Sequence, residues 1–331
     1  MNRNLLPKLD LNITNRCNYR CTHCAFDSGL CNMPEMSLGE LENILKDTKD
    51  LGGRRIDITG GEALVRKDVP EIIKIGKDLD YKIELVTNGY LLNADKLRQF
   101  KELGLDGIAI SIDGSDEQKY NMIRRAGKKA FDRVLQNIRL SKENDFYTKV
   151  NTTVFASNLH DLPNIAELCH GLNVNEWGLY YFTPIGRGDR SSELSVEPIT
   201  WLEFVNNHLE PYKDRLNISL EYPLIEKGRW NKDMGCIADG ERSHLQILPD
   251  GNVYPCAILA SYGKPIANLH DVSVKDIWQN KELWKAYWQK ISPMFKCWQG
   301  SCVDYKTAFN MKDYDQTKYG FVCPLRKFTL G

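Results

Sequence analysis

Six short runs rich in β-branched and apolar residues recur through the first half of the chain, with room for a helix between most neighbours. This alternation restricts the fold more than any other feature. The runs are LDLNIT from Leu9, RIDIT from Arg55, KIELVT from Lys82, GIAISID from Gly107, KVNTTV from Lys149 and EWGLYYF from Glu176. Between the first two lies SLGELENILKDTKDLG, which opens on Ser37, carries Glu40 three residues later and stops at Gly52. Further helix starts fall near Asp68, Asn93, Ala130 and Asp161. Strand, helix and strand repeated in this order need right-handed crossovers and a parallel sheet covered by helices. The 331 residues exceed one ordinary domain but fit a barrel with an appendage. Six repeats predict an α/β fold, a partial (β/α)6 TIM-like barrel. Beyond Asp189 the alternation gives way to short, Trp-rich segments holding five of the ten cysteines. The expected division is a barrel over 1–190 and a smaller, cysteine-rich α+β domain over 191–331.

In parallel sheets and barrels, functional groups collect where strands end at their carboxyl edges. The first run is followed by TNRCNYRCTHCAF, which places Cys17, Cys21 and Cys24 within eight residues and Phe26 beside them. The second ends in Gly60, Gly61 and Glu62, the third in Asn88, and the fourth carries Ser111 and Asp113 with Arg124 and Arg125 on the following segment. Asn151 lies on the fifth, and TPIGRGD follows the sixth from Thr183. Taken singly, a GGE, a TNG or an S-x-D is an ordinary turn or edge; their order along successive strand ends gives them weight. Three thiolates on one loop do not complete a structural zinc site, which closes with four protein ligands. An iron-sulfur cubane held by three cysteines instead leaves one iron open to a ligand from outside the chain.

The spacing C-x-x-x-C-x-x-C, on the loop after the first strand, resembles the radical S-adenosylmethionine (radical SAM) superfamily. The resemblance implies a [4Fe-4S] cluster on Cys17, Cys21 and Cys24, S-adenosylmethionine on its open iron, and reductive cleavage to a 5′-deoxyadenosyl radical. It also implies an electron donor such as a flavodoxin or ferredoxin. Glu62, behind the glycines Gly60 and Gly61, then accepts the methionine ammonium. Ser111 and Asp113 reach the ribose hydroxyls, Arg124 or Arg125 pairs with the methionine carboxylate, and Asn88 and Asn151 add further cofactor contacts. The sequence departs from the family at His23, where an aromatic residue is more frequent; the imidazole still offers a flat ring. PIGRG, from Pro184 to Gly188, resembles a family element near the adenosine and reads equally as a boundary loop.

In the second half, LQILPDGNVYPCAI reads as a hairpin turning at PDG and ending at Cys256. With the helical stretch SVKDIWQNKELWKAYW and CWQGSC after it, it resembles the auxiliary-cluster domains called SPASM and twitch. A full two-cluster SPASM domain has more cysteines, including a C-x-x-C pair lacking here. Cys236, Cys256, Cys297, Cys302 and Cys323 therefore imply one auxiliary [4Fe-4S] cluster, held by Cys236, Cys256 and two of the last three. A buried cysteine also serves as a small apolar residue, the expected role of Cys169. Cys31 reads as a loop cysteine, near enough to the cluster loop to serve as a thiol hydrogen donor. The aromatics from Trp284 onward recur at helical spacing, as core packing does.

Lys plus Arg and Asp plus Glu both number 44, so no basic excess invites nucleic acid. No apolar leader opens the chain and no long apolar run follows, which predicts a cytoplasmic protein with no membrane partner. The functional expectation is abstraction of a substrate hydrogen atom followed by net oxidative modification of a small metabolite or natural product, with the auxiliary cluster accepting an electron. The first strand's position close to the start favours a small molecule over a peptide. The alternatives are a peptide maturase forming thioether or carbon-carbon crosslinks or epimerising residues, and a non-catalytic iron-sulfur electron carrier.

Overall fold

The computed structural model describes residues 5–29, 33–190, 192–221, 224–226, 244–291, 319–321 and 327–329. The six expected strands form as β1 (Lys8–Asn12), β2 (Arg55–Thr59), β3 (Lys82–Thr87), β4 (Gly107–Ser111), β5 (Tyr147–Val154) and β6 (Glu176–Tyr181). They pair in parallel in sequence order. The crossover helices are α1 (Leu38–Asp50), α2 (Val69–Asp78), α3 (Ala94–Glu102), α4 (Glu117–Arg124), α5 (Ala130–Glu143) and α6 (Leu162–Gly171). α1 starts where the Ser37 hydroxyl accepts from the Glu40 N–H and the Glu40 carboxylate accepts from the Ser37 N–H, a capping box. α4 was not expected. It is two turns long and capped by Asp116, too short for a clear 3.6-residue period.

Side chains alternate across each strand, and the two faces differ sharply. Leu9, Leu11, Ile56, Ile58, Ile83, Leu85, Ile108, Ile110, Val150, Trp177 and Leu179 are buried in one core on the helix side. Each such side chain contributes roughly 1.5–3 kcal/mol on leaving water. The opposite, lumen-facing positions are largely polar: Lys8 and Asp10 on β1, Arg55 and Asp57 on β2, Glu84 on β3, Lys149 on β5 and Glu176 on β6.

The second half extends this sheet on both sides. After α7 (Pro198–Phe204), β7 (Ile218–Glu221) pairs parallel to β6. β8 (Leu224–Glu226) belongs to a separate two-stranded sheet. The expected hairpin forms as β9 (His244–Ile247) and β10 (Asn252–Tyr254), turning at Gly251 with φ +80°. β9 then pairs parallel to β1, with Leu9 opposite Leu245 and Leu11 opposite Ile247. α8 (Ala257–Ser261), β11 (Ala267–Asn268), α9 (Val274–Gln279), α10 (Lys281–Ile291), β12 (Tyr319–Phe321) and β13 (Lys327–Thr329) follow. The outer neighbours, β10 on β9 and β13 on β7, are antiparallel, so the parallel run meets a reversed strand at each end. The expected single helix near Trp284 is two helices, because Asn280 takes an extended ψ of 92° and accepts from the Leu283 N–H. Its aromatics are core, as expected: Trp278, Trp284 and Tyr287 are buried. Among the described residues, no helix is long and apolar enough to cross a membrane.

Candidate active site

The loop after β1 is drawn onto the end of β2 through backbone contacts. Gly61 N–H donates to Thr14 O at 2.8 Å and Glu62 N–H to Arg16 O at 2.9 Å. A Cβ on Gly60 would stand 2.6 Å from Thr14 O, and one on Gly61 would stand 2.6 Å from Arg16 O. Both positions therefore exclude a side chain for a reason other than ligand approach: the cysteine loop occupies that space. The start of the loop is fixed further by Arg66, whose guanidinium donates to Ile13 O and Met36 O. Phe26 does not join the cysteines; it packs with Leu248, Tyr254 and Ala260 of the second half.

Below this loop lies a cavity of about 260 Å³ at the carboxyl ends of the strands. Cys17, Cys21, Gly60, Gly61, Glu62, Asn88, Ser111, Arg124 and Asn151 all line it, together with Tyr19, His23 and Tyr180. Among the expected contacts, Asp113 does not line it. Its carboxylate is fully buried and already engaged, Oδ2 by Arg124 Nε at 2.5 Å and Oδ1 by the Thr153 N–H at 2.8 Å. Asp113 thus holds the arginine instead of facing a ligand. Of the two candidate arginines, Arg124 lines the cavity and Arg125 caps α4 at φ +49°, exposed to solvent.

The electrostatics follow from burial. Glu62 is buried and its pKa is raised by desolvation, although Asn88 N–H, the Thr87 hydroxyl and Leu64 N–H all donate to it. Burial lowers the affinity of Arg124 for its proton, and the Asp113 carboxylate more than restores it. The Cys17 thiol is pushed up to about 12 by burial, and Cys21 is raised for the same reason. A thiol in such surroundings ionises when a metal centre supplies the compensating charge. Backbone N–H groups already point at two of the sulfurs, Tyr19 at Cys17 Sγ and Ser28 at Cys24 Sγ, each at 3.3 Å. Such contacts stabilise thiolates bound to iron.

Three cavity-lining residues carry a buried polar atom with no hydrogen-bond partner: Asn151 Oδ1, His23 Nδ1 and the Tyr19 hydroxyl. A ligand bearing hydroxyl, amine and carboxylate groups would satisfy them. Burial lowers the His23 pKa to about 4, leaving the ring neutral. Among the described residues, no three His, Cys, Asp or Glu side chains gather around a single point as one metal ion requires. A cubane places each thiolate on a different iron, so it does not require that convergence.

Residues 11–169 match the profile of the radical SAM superfamily, and 236–303 match that of SPASM, described as an iron-sulfur cluster-binding domain. The chain belongs to the radical SAM superfamily. As a radical SAM protein with a SPASM domain, it uses a [4Fe-4S] cluster with S-adenosylmethionine, and an auxiliary cluster. It is similar to the AdoMet-dependent heme synthase of Methanosarcina barkeri, 26% identical over 295 residues, which are 82% of this chain and 82% of the relative. The AdoMet-dependent heme synthase of Nitratidesulfovibrio vulgaris is 24% identical over 317 residues, 89% of this chain and 84% of the relative. Among solved structures, Streptococcus suis SuiB bound to S-adenosylmethionine superposes with a TM-score of 0.73 at 16% identity, covering 86% of this chain and 68% of SuiB. Native anSMEcpe with bound AdoMet superposes with a TM-score of 0.65 at 16% identity, covering 84% of this chain and 82% of that chain. At these identities the solved structures establish the shared partial-barrel fold.

Of the second-half cysteines, Cys256 is buried at the N-terminus of α8, directly after β10. Cys31, Cys236, Cys297, Cys302 and Cys323 lie outside the described residues. Cys169 is buried on α6 in the main core, as its apolar reading predicted. Arg187 carries no signal of its own in the sequence: PIGRG reads as an adenosine neighbour or a boundary loop, whereas the Arg187 guanidinium reaches across to the cysteine loop.

Proposed function

We propose that this radical SAM enzyme carries out net oxidative modification of a small metabolite or natural product, with residues 1–190 holding the radical site and 191–331 the auxiliary cluster. The observation that carries the reading is the convergence of Cys17, Cys21, Glu62, Arg124 and three unpartnered polar atoms on one cavity at the strand ends. When bound, the cluster and S-adenosylmethionine supply one-electron chemistry that removes a hydrogen atom from substrate carbon. Cys17, Cys21 and Cys24 would hold the cluster. Glu62 would accept the methionine ammonium, Arg124 would face the carboxylate, and Ser111 and Asn151 would meet the ribose hydroxyls, with Asn88 beside them. Asp113 would act indirectly, by fixing Arg124.

Cys236, Cys256, Cys297 and Cys302 all fall inside the SPASM match and Cys323 falls beyond it, which favours the first four as auxiliary ligands. The substrate class rests on the two relatives, both named for making heme, a small non-peptide product. The test is anaerobic purification and cluster reconstitution, with iron and sulfide counted. Dithionite or reduced flavodoxin and S-adenosylmethionine are then added, with carboxylated iron porphyrins or short peptides as trial substrates. We expect iron for two cubanes, 5′-deoxyadenosine, and turnover with the small molecules. A loaded protein that makes no 5′-deoxyadenosine would be an electron carrier, and turnover of peptides alone would make it a maturase.

A further inference from the structure

The segment after β6 is pinned to the cysteine loop at one residue. The Arg187 guanidinium donates from Nη1 to Cys21 O at 2.8 Å, from Nη2 to Ser28 O at 2.8 Å and from Nε to Asp27 Oδ1 at 2.7 Å. Its backbone N–H donates to Cys24 O at 2.9 Å. One residue therefore grips the loop at four points spanning both later cysteines. The Arg187 side chain is 17% exposed, so its two carbonyl contacts are partly shielded from water, while the Asp27 contact is open to solvent. Gly186 beside it has φ +60°, and a Cβ there would lie 2.1 Å from Ala25 O. The turn can come this close to the loop only with glycine at that position.

Within the first strand-loop unit the end of the distal half is tied back to Asn15, which accepts from the Ser28 hydroxyl and the Gly29 N–H, and Arg187 adds a guanidinium across the stretch before it. The proximal half has its own: Arg66 holds Ile13 O, while Arg16 pairs with Glu35. The planar fork of an arginine can satisfy two carbonyls and a carboxylate together, whereas a lysine ammonium on a flexible stem cannot hold the same plane. Its guanidinium, paired with Asp27, also lies against the backbone of Cys21, and a positive charge held beside a loop that would carry an iron-sulfur cluster favours the reduced, more negative state.

We propose that Arg187 is a positioning residue that locks the loop bearing Cys21 and Cys24 in its cluster-binding shape and raises the reduction potential of the cluster. The second effect rests on the function proposed above; the first does not.

The experiment compares the wild-type full-length chain with Arg187→Lys and Arg187→Gln, checking by circular dichroism that all are folded. In metal-free protein, iodoacetamide alkylation of Cys21 and Cys24 is followed by peptide mass spectrometry. Both variants should react about tenfold faster, the order expected for losing charge-assisted hydrogen bonds, while Cys169 should be unchanged. In reconstituted protein, the cluster potential should fall in Arg187→Gln and stay near wild type in Arg187→Lys, which keeps the charge. Unchanged alkylation in both folded variants would overturn the clamp, and equal potentials in all three proteins would overturn the electrostatic effect. A wild-type protein that binds no cluster would instead defeat the functional reading, with the alkylation result still deciding the clamp.

Discussion

The two ends of the barrel lumen are built from the same strands, yet among the described residues only the carboxyl end leaves polar groups without partners beside its paired ones. At the amino end, charges are paired with one another: Lys8 with Asp10 and Asp57, Arg55 with Asp57 and Glu84, and Lys149 with Glu176. At the carboxyl end, Asn151 Oδ1 and His23 Nδ1 are buried without partners beside two half-buried thiols. β5 shows the contrast within three residues, from Lys149, which is paired, to Asn151, which is not. Polar groups that satisfy each other specify the fold, and polar groups left over mark where a ligand is expected.

This comparison breaks most visibly at the cysteines. Replacing Cys17, Cys21 and Cys24 together with Ala should abolish 5′-deoxyadenosine formation while leaving the iron of the auxiliary cluster in place; residual cleavage would move the radical site elsewhere. At the amino end, Lys149→Met leaves Glu176 without its ammonium in a position where the lysine side chain is only 5% exposed. The expected loss is about 3 kcal/mol of stability, read from urea unfolding, with S-adenosylmethionine affinity unchanged in the folded protein. Glu62→Gln should do the reverse. Equilibrium dialysis should show cofactor binding about tenfold or more weaker, because a charge-assisted contact to the ammonium becomes neutral.

A smaller effect comes from pH. Burial raises the pKa of Glu176, but Lys149 and the hydroxyls of Ser219 and Tyr147 more than reverse this, leaving it below 4.5. A carboxyl whose folded pKa is depressed contributes stability above its unfolded value, and that contribution is lost as pH falls through the folded value. Unfolding free energies measured at pH 7 and below pH 4.5 should therefore diverge less in Lys149→Met than in wild type. The smallest change should be the stability of Asn151→Ala. Its acceptor has no hydrogen-bond partner to lose, so we expect no more than about 0.5 kcal/mol in the same unfolding assay, with cofactor affinity reduced severalfold. A large stability loss there would place Asn151 with the structural end.

The six parallel strands were legible because RIDIT and KIELVT alternate with period two, and turn or cap residues such as Ser37 and Asn93 mark the helices between them. The strand ends also gave most of the cavity, since adjacent parallel strands bring Glu62, Asn88, Ser111 and Asn151 to one mouth. Asp113 was misjudged because its spacing from Ser111 puts it near the mouth, while only the three-dimensional position of Arg124 shows that its carboxylate is already taken. The pairing of β9 along β1 was not legible either, since a register between residues over two hundred positions apart leaves no local pattern. Arg187 was hidden for the same reason: its partners lie some 160 positions earlier, and nothing in PIGRG announces them.

The ladder between β1 and β9 has a consequence for electron flow. β1 runs into the loop carrying Cys17, and β9 runs through its hairpin to Cys256, so both stretches start from neighbouring rungs of one hydrogen-bonded sheet. If each end ligates iron as proposed, one ligand of each cluster is anchored to the same hydrogen-bonded sheet, an arrangement that ties the electron's two stations to one backbone ladder instead of to a flexible tether.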